Sequence, residues 1–271
     1  KDLGRDGLVG RDGWFFYKPD VRFLIEPWNG YDNVLNAVRA FNDALAARCI
    51  RLLVVPAPGK PSIYPDKITA RAEHLDRSVH GYSQETIARL RQAGIEVVDL
   101  FTLFEQNRSK GTLYLKQDTH WAPEGMSLAA HEVAAELLAK GWIAKGSVSF
   151  TIKPVAIKRH GDVLRMARSQ EISNNYLPEE MECSQVLRED TGEPFKADPD
   201  SDILVLGDSF LRIYERDEPG SAGFTAHLSR ELSKPVASII NDGGASTLVR
   251  QELARKPQLL QNKKVVVWEF V

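Results

Sequence analysis

The sequence is short of three features that would narrow its function class. It has only two cysteines, no excess of either charge, and no apolar run near the roughly 20 residues that cross a bilayer. Its 35 basic and 37 acidic residues are interspersed and give a net charge of −2. This balance excludes the strongly basic surface of many nucleic-acid-binding proteins and a polybasic membrane patch.

The two cysteines, Cys49 and Cys183, do not define the redox compartment. One disulfide in an oxidising space and two buried thiols both fit this count. Neither cysteine follows a predicted strand with a base nearby, so the sequence predicts no catalytic cysteine.

What the sequence does contain is the composition of an ordinary globular protein. Its 271 residues are 43% hydrophobic and 27% charged, which is enough for one large α/β domain, with or without an insertion. Apolar residues at helical spacing predict helices over 31–48, 83–93, 126–140, 223–232 and 247–255.

Apolar runs that alternate with these helices predict strands. They cover 51–56, 95–100, 203–206, 236–240 and 265–270. The alternation of strands and helices favours a parallel sheet with about five core strands. Residues 146–200 differ, with short β-like pieces at 150–152 and 154–157 among polar loops, and we predict an insertion there. At the other end of the chain, the Asp-Gly pairs at 6–7 and 12–13, followed by the aromatic run 14–17, predict a β-hairpin or a meander.

The most informative stretch is 202–210, where the predicted strand runs into Gly207-Asp208-Ser209. Glycine permits a sharp turn, and ligands of open α/β sheets bind at the carboxyl ends of the strands. Ser209 is therefore a candidate nucleophile, and the adjacent Asp208 is predicted to cap the following helix. The tripeptide alone is more often an ordinary turn.

A second stretch, Asp118-Thr119-His120-Trp121, supplies the partners that a serine nucleophile needs. Histidine removes the hydroxyl proton, and a carboxylate fixes the imidazole tautomer. If this segment is extended, Asp118 and His120 point to the same side. The other five histidines (74, 80, 131, 160 and 227) have no companion at metal-ligand spacing, so we predict no metal or other cofactor.

Acyl transfer also needs hydrogen-bond donors where the carbonyl oxygen becomes negative. We predict one donor in the Ser209 backbone N–H, and candidates for a second in Asn241, Gly243 and Gly244, which follow the next strand. A simple glycine-rich turn is the competing interpretation. Lys60 and Tyr64, in the proline-rich loop 56–65, are further candidates for substrate contact, or else belong to a solvated loop.

These blocks resemble a known family. Residues 207–210 resemble the nucleophile block of SGNH (GDSL-like) hydrolases, and residues 118–125 resemble their acid–base block. Here the serine block comes last, so the chain looks circularly permuted, in the order seen in periplasmic alginate O-acetyltransferases. Further matches lie at 10–16, 54–60, 64–65, 221–224, 241–245 and 266–270. The asparagine block of simple SGNH enzymes has no clear counterpart.

The resemblance implies one SGNH-like α/β catalytic domain over 1–271, with a parallel sheet flanked by helices and a β-rich insertion at about 146–200. It implies transfer of acetyl groups to an exported polysaccharide through an acetyl-Ser209 intermediate, with His120 and Asp118 completing the triad. It further implies a periplasmic location, a membrane-bound protein that supplies acetyl groups, and no nucleic-acid partner. The acceptor polysaccharide stays open.

The sequence leaves two alternative functions open. A carbohydrate acetylesterase would use the same triad and release acetate to water. A polysaccharide-binding scaffold would have lost the chemistry, and the presence of Ser209, His120 and Asp118 weighs against it.

Overall fold

The computed structural model describes residues 6–74, 79, 81–166, 175–242 and 246–271. Gly243 and Gly244 lie outside these described residues. The strands are β1 (Gly7–Val9), β2 (Phe15–Tyr17), β3 (Arg51–Pro56), β4 (Glu96–Val97), β5 (Phe150–Arg159), β6 (Glu179–Arg188), β7 (Ile203–Gly207), β8 (Ala237–Ile240) and β9 (Val265–Phe270).

The α-helices are α1 (Lys18–Ile25), α2 (Tyr31–Ala46), α3 (Lys60–Ile63), α4 (Pro65–Ile68), α5 (Gly81–Gln92), α6 (Leu100–Asn107), α7 (Pro123–Ala139), α8 (Asp162–Met166), α9 (Ser209–Arg212), α10 (Phe224–Leu232) and α11 (Leu248–Arg255). Short 3-10 helices cover Ala70–His74 and Pro257–Leu260. Gly94 follows α5 with a φ of 77°, the left-handed position at which glycine is predicted to end a helix.

The central sheet has five strands in the order β4-β3-β9-β7-β8. Every neighbouring pair in it is parallel. The predicted parallel α/β sheet flanked by helices is therefore confirmed. Because parallel strands share one carboxyl edge, the residues that directly follow β3, β7 and β8 lie along the edge where β9 ends.

The sheet is buried on both faces, as β3 shows most directly. Leu53 and Val55 pack into the core on the side of α7 and α10. Leu52 and Val54 pack into the opposite core, with α2, α5 and α11. Alternate residues of a strand point to opposite faces, so an unbroken apolar run is what a doubly covered strand requires.

Two antiparallel hairpins lie outside the central sheet. β1 pairs with β2 as predicted, and the turn between them has left-handed Asp12 (φ 54°) and Gly13 (φ 78°). β5 and β6 form a ten-residue ladder within the predicted insertion. The two β-like pieces are thus one continuous strand that includes Pro154. Proline is compatible with a two-stranded ribbon because backbone N–H groups on the outer edge of the ribbon have no strand partner.

The strand predicted over 95–100 is shorter in the structure, and the helix predicted after Ser209, to which the sequence assigned no length, is short. β4 covers only Glu96–Val97, since Asp99 leaves the strand and accepts a hydrogen bond from the Thr102 N–H at 3.1 Å to begin α6. The helix after Ser209 is the single turn α9. In both places a capping side chain begins a helix next to the end of a strand. The periodicity of apolar residues does not predict such a boundary.

The two cysteines are unpaired. Cys49 is exposed, whereas Cys183 is buried in β6, and this burial raises the pKa of its thiol to about 12. Over the described ranges, the helices are all too short or too polar to span a bilayer.

Candidate active site

Ser209 lies at the carboxyl end of β7, whose five residues are all buried. The chain turns sharply there, and Asp208 Oδ1 accepts a hydrogen bond from the Phe210 N–H at 2.8 Å. The predicted capping role of Asp208 is therefore confirmed. A Cβ on Gly207 would overlap Glu269 and Leu211, so the turn requires glycine at this position.

The acid–base segment is a tight loop rather than an extended strand. Tyr114 and Trp121 form an isolated antiparallel bridge, and the Leu115 N–H donates to the His120 carbonyl at 3.3 Å. Inside the loop, Asp118 Oδ1 accepts from the His120 backbone N–H at 3.2 Å. This side-chain turn, and not strand alternation, brings the two side chains together.

The three predicted residues form a continuous hydrogen-bonded chain. His120 Nε2 lies 2.8 Å from Ser209 Oγ, and His120 Nδ1 lies 2.6 Å from Asp118 Oδ1. Asp118 is fully buried, and His120 is 4% exposed. The Trp121 indole donates to the Phe210 carbonyl at 3.1 Å, which joins the two chain segments directly behind the imidazole.

Two residues that the sequence did not identify complete the surroundings of Asp118. At the end of β5, Arg159 donates from Nε to Asp118 Oδ2 at 3.0 Å, and its Nη1 lies 3.2 Å from Asp217 Oδ2. The Asp162 N–H, at the start of α8, donates to the same Asp118 oxygen at 3.1 Å. Among the described residues, both hydrogen bonds that Oδ2 accepts thus come from the predicted insertion.

The charges in this cluster keep Asp118 ionised. Burial alone would raise the pKa of Asp118, but the hydrogen bond and charge of His120, together with Arg159, hold it well below its usual range. Burial and the negative charge of Asp118 raise the pKa of the neighbouring Asp162. Asp162 also accepts from the Thr119 N–H at 2.8 Å, so it holds the segment between Asp118 and His120.

Lys60 and Tyr64 lie behind the acid–base segment. The buried Lys60 ammonium donates to the carbonyls of Leu115 (3.0 Å), Lys116 (3.0 Å) and Asp118 (2.6 Å). These three bonds use all its protons, while burial lowers its pKa to about 8. The buried Tyr64 hydroxyl accepts from the Leu113 N–H at 3.3 Å. This placement differs from the predicted substrate contact and indicates that both residues position the loop.

The predicted second oxyanion donor is only partly within the described residues. The Asn241 N–H donates to the Gly207 carbonyl at 3.0 Å, so Asn241 lies beside the nucleophile turn. Gly243 and Gly244 lie outside the residues that the structure describes. All three assignments, and that of the Ser209 N–H, stay predictions.

A buried carboxyl lies beneath the nucleophile turn. Glu269, at the end of β9, accepts from the Asp208 N–H at 3.2 Å and is fully buried. Burial, followed by the charge of Asp208, raises the pKa of Glu269 well above its usual range. Burial thus disfavours the charged form of Glu269, whose carboxyl holds the Gly207-Asp208 turn from below.

Asp118, His120 and Asp162 also have the geometry of a metal-ligand group, since their ligand atoms all lie within 4.8 Å of one another. Hydrogen bonds already engage these atoms: both ring nitrogens of His120 have partners, and Asp162 accepts from Thr119. A metal ion would have to break the Asp118–His120 bond. The metal-free site stays a prediction, and the cluster's chemistry fits proton transfer better.

Comparison with known proteins gives the family. The chain matches the sequence model described as "SGNH hydrolase-like domain, acetyltransferase AlgX" over residues 8–271. It is 26% identical over 287 residues to the probable alginate O-acetylase AlgJ of Pseudomonas aeruginosa, covering 98% of this chain and 70% of that protein. It is 27% identical over 279 residues to the alginate biosynthesis protein AlgX of the same species, covering 97% of this chain and 55% of AlgX.

Solved structures show the same fold. The O-acetyltransferase domain of Pseudomonas putida AlgJ superposes with a TM-score of 0.77 at 23% identity, covering 98% of this chain and 90% of that one. Bacillus cereus PatB1 superposes with a TM-score of 0.58 at 14% identity, covering 97% of this chain and 93% of that one. Because the family match spans nearly the whole sequence, the chain belongs to the SGNH hydrolase-like acetyltransferase family of AlgX and is an O-acetyltransferase.

Proposed function

We propose that the enzyme transfers acetyl groups to hydroxyls of an exported polysaccharide through an acetyl ester on Ser209. The observation that carries this proposal is the chain from Ser209 Oγ to His120 Nε2 (2.8 Å) and from His120 Nδ1 to Asp118 Oδ1 (2.6 Å). A hydroxyl, a base and a buried orienting carboxylate in this order are the arrangement of serine acyl-transfer enzymes.

In the first half-reaction, His120 Nε2 takes the hydroxyl proton as Ser209 Oγ attacks the acetyl carbonyl. The bond to the donor's leaving group then breaks, and the imidazolium returns its proton to that group. In the second half-reaction, His120 Nε2 deprotonates a sugar hydroxyl, whose oxygen attacks the acetyl-Ser209 carbonyl. The bond from that carbonyl carbon to Ser209 Oγ then breaks, and the imidazolium returns its proton to Ser209 Oγ. Asp118 holds the Nδ1 proton throughout and stays ionised.

The same proposal includes the setting of the reaction. Family membership supports an exported polysaccharide as acceptor, a periplasmic location, and acetyl groups supplied by a membrane-bound protein. An acetylesterase would use water in place of the sugar hydroxyl in the second half-reaction, and only the fate of the acetyl group separates the two activities.

The test uses a chromogenic acetyl ester as donor. The wild-type enzyme should gain the mass of one acetyl group on the peptide that contains Ser209, and Ser209→Ala should lower turnover at least about a thousandfold. Ser149→Ala, an exposed serine on the insertion, is the matched control and should behave as wild type. Acetylation at another residue, or full activity in Ser209→Ala, would refute the nucleophile assignment. With oligosaccharides added, acetyl appearing only as acetate would indicate the esterase.

A further inference from the structure

The segment 213–223, which joins α9 to α10, contacts both the acid–base loop and the β5–β6 hairpin. The Tyr214 hydroxyl donates to the Trp121 carbonyl at 3.2 Å. On the hairpin side, Gln185 Nε2 donates to the Gly220 carbonyl at 3.1 Å. Residues that follow the nucleophile turn thus reach the two parts of the chain that surround the triad carboxylate.

Asp217, in this segment, is bound by an arginine on each side. Its Oδ2 accepts from Arg159 Nη1 at 3.2 Å, and its Oδ1 accepts from Arg212 Nη1. Arg159 ends β5, and Arg212 ends α9. The side chains are 22% (Asp217), 14% (Arg159) and 28% (Arg212) exposed, so solvent screens these contacts less than it screens fully exposed ion pairs. One carboxylate therefore joins the hairpin to the helix that begins at the nucleophile.

Ion pairs extend outward from both arginines. Arg159 Nε donates to Asp118 Oδ2 at 3.0 Å, and Arg212 Nε lies 2.7 Å from Asp242 Oδ2 in the segment after β8. We call Asp118, Arg159, Asp217, Arg212 and Asp242 the ion-pair network. The charges alternate along it, so each inner member lies between two groups of the opposite sign. Asp217 is the middle member.

The ion-pair network connects three parts of the proposed site. Asp118 is the triad carboxylate, α9 begins at Ser209, and Asp242 directly follows Asn241, a candidate oxyanion donor. Asp217 joins the pair that holds the carboxylate to the pair that links α9 with the segment after β8. A displacement of about 1 Å at a reacting group can cost about a hundredfold in rate. A residue that fixes these parts relative to one another therefore affects catalysis without touching the substrate.

We propose that Asp217 is a positioning residue for acyl transfer. It couples the triad carboxylate to the nucleophile helix and to the segment after β8, and it acts through Arg159 and Arg212 rather than on the reacting atoms. The inference deepens the proposed function and rests on it, because positioning has a catalytic effect only if the proposed triad carries out the reaction.

The test replaces Asp217 with asparagine, which keeps the side-chain volume and one acceptor oxygen but presents an amide NH2 group to one of the two arginines. The measurement is the rate of Ser209 acetylation by the chromogenic acetyl ester, followed by mass spectrometry at a temperature at which the variants are fully folded. At saturating ester we expect the rate in Asp217→Asn to fall about tenfold, while the half-saturating ester concentration changes by less than about twofold. Asp217→Glu, which keeps the charge, should recover part of the loss.

A double-mutant cycle with Arg159→Met separates coupling from an independent role. Asp217 reaches Asp118 through Arg159. In the Arg159→Met background, Asp217→Asn should therefore lower the acetylation rate by no more than about twofold. Effects of the two substitutions that multiply would show that Asp217 acts by another route.

A second measurement does not require acyl transfer. The proton in the 2.6 Å hydrogen bond between His120 Nδ1 and Asp118 Oδ1 should give a downfield resonance in the proton NMR spectrum. In Asp217→Asn this resonance should move upfield, because Arg159 no longer lies between two carboxylates and holds Asp118 less firmly. A merely structural role of Asp217 would leave the resonance of the folded protein unchanged.

Asp190→Asn is the matched control, because it makes the same chemical change in an exposed ion pair. Asp190 follows β6 and lies 2.6 Å from Arg188, and both side chains are exposed. This variant should match the wild type in acetylation rate and in the imidazole resonance.

Four results would each overturn the proposal. They are a wild-type acetylation rate in Asp217→Asn, a raised half-saturating ester concentration at an unchanged maximal rate, effects that multiply with those of Arg159→Met, and an unmoved His120 resonance. If the resonance moves as expected but Ser209 is never acetylated in the wild-type enzyme, the acyl-transfer proposal fails while the coupling through Asp217 stands.

Discussion

Replacing Arg159 with methionine tests whether the β5–β6 hairpin positions Asp118 in the proposed triad. Methionine keeps much of the buried volume but removes the hydrogen bonds from Nε to Asp118 (3.0 Å) and from Nη1 to Asp217 (3.2 Å). Asp118 is fully buried and the Arg159 side chain is 14% exposed, so solvent screens this pair only weakly. The variant therefore leaves a buried carboxylate without its cation.

The magnitude follows from what remains around Asp118. Two unit charges 4 Å apart interact by about 4 kcal/mol at an effective dielectric constant of 20, and removing one partner of a buried pair costs roughly 3–5 kcal/mol. His120 and the Asp162 N–H still donate to Asp118, so we expect the lower end, about 3 kcal/mol in the free energy of unfolding. We expect kcat on the chromogenic ester to fall about tenfold to a hundredfold as the carboxylate loses its fixed position.

The assay combines urea unfolding with a pH–rate profile, because a merely structural role would leave the profile unchanged. Without the Arg159 cation, the pKa of Asp118 is no longer held as low, so the acid limb of the profile should move to higher pH. Arg159→Lys should restore only part of the loss, since one ammonium does not reproduce two donors aimed at Asp118 and Asp217.

Arg188→Met is the matched control on the same hairpin. Its ion pair with Asp190 (2.6 Å) is exposed, and its removal should change neither stability nor the pH profile appreciably. If Arg159→Met showed wild-type stability and an unmoved acid limb, the reasoning that the insertion holds Asp118 would be refuted.

Three further outcomes follow from the described contacts. Lys60→Met should lose several kcal/mol of unfolding free energy, measured in urea, because three carbonyls, two of them buried, lose their donor; an unchanged midpoint would contradict this. Gly161→Ala should lower both stability and ester turnover, since a Cβ would overlap the Gln117 carbonyl, whereas Gly81→Ala, with open space around it, should be tolerated. Burial raises the pKa of Glu215 to about 6, so the folded state binds more protons than the unfolded chain between about pH 4.3 and 6. The stability that protonated Glu215 contributes is therefore lost as the pH rises through that window. Between pH 4 and pH 7, the free energy of unfolding of Glu215→Gln should rise by about 2 kcal/mol relative to that of the wild type. A difference between the two proteins that does not change with pH would contradict the assignment.

Much of the fold is local in origin and could be predicted. The strands β3, β7 and β9 are unbroken apolar runs, and α2 has helical periodicity, so these elements follow from the pattern of buried residues. The lengths of β4 and α9 could not be predicted in the same way. A capping side chain at Asp99 or Asp208 determines where the chain turns, and apolar periodicity carries no signal for it.

The sequence by itself predicted Ser209, His120 and Asp118 as site residues, because a serine at a strand end and a nearby Asp-x-His pair have a chemical logic that needs no coordinates. Only the tertiary structure decided that Arg159 and Asp162 surround Asp118 and that Lys60 lies behind the site. For these contacts the sequence offers one sign, the glycine at position 161 between His160 and Asp162. In the structure, the Gly161 backbone lies so close to Gln117 that a side chain would not fit. A charged side chain has its physical effect through its neighbours in space, and contacts across 40 or more positions of the chain arise only when the sheet and the insertion assemble.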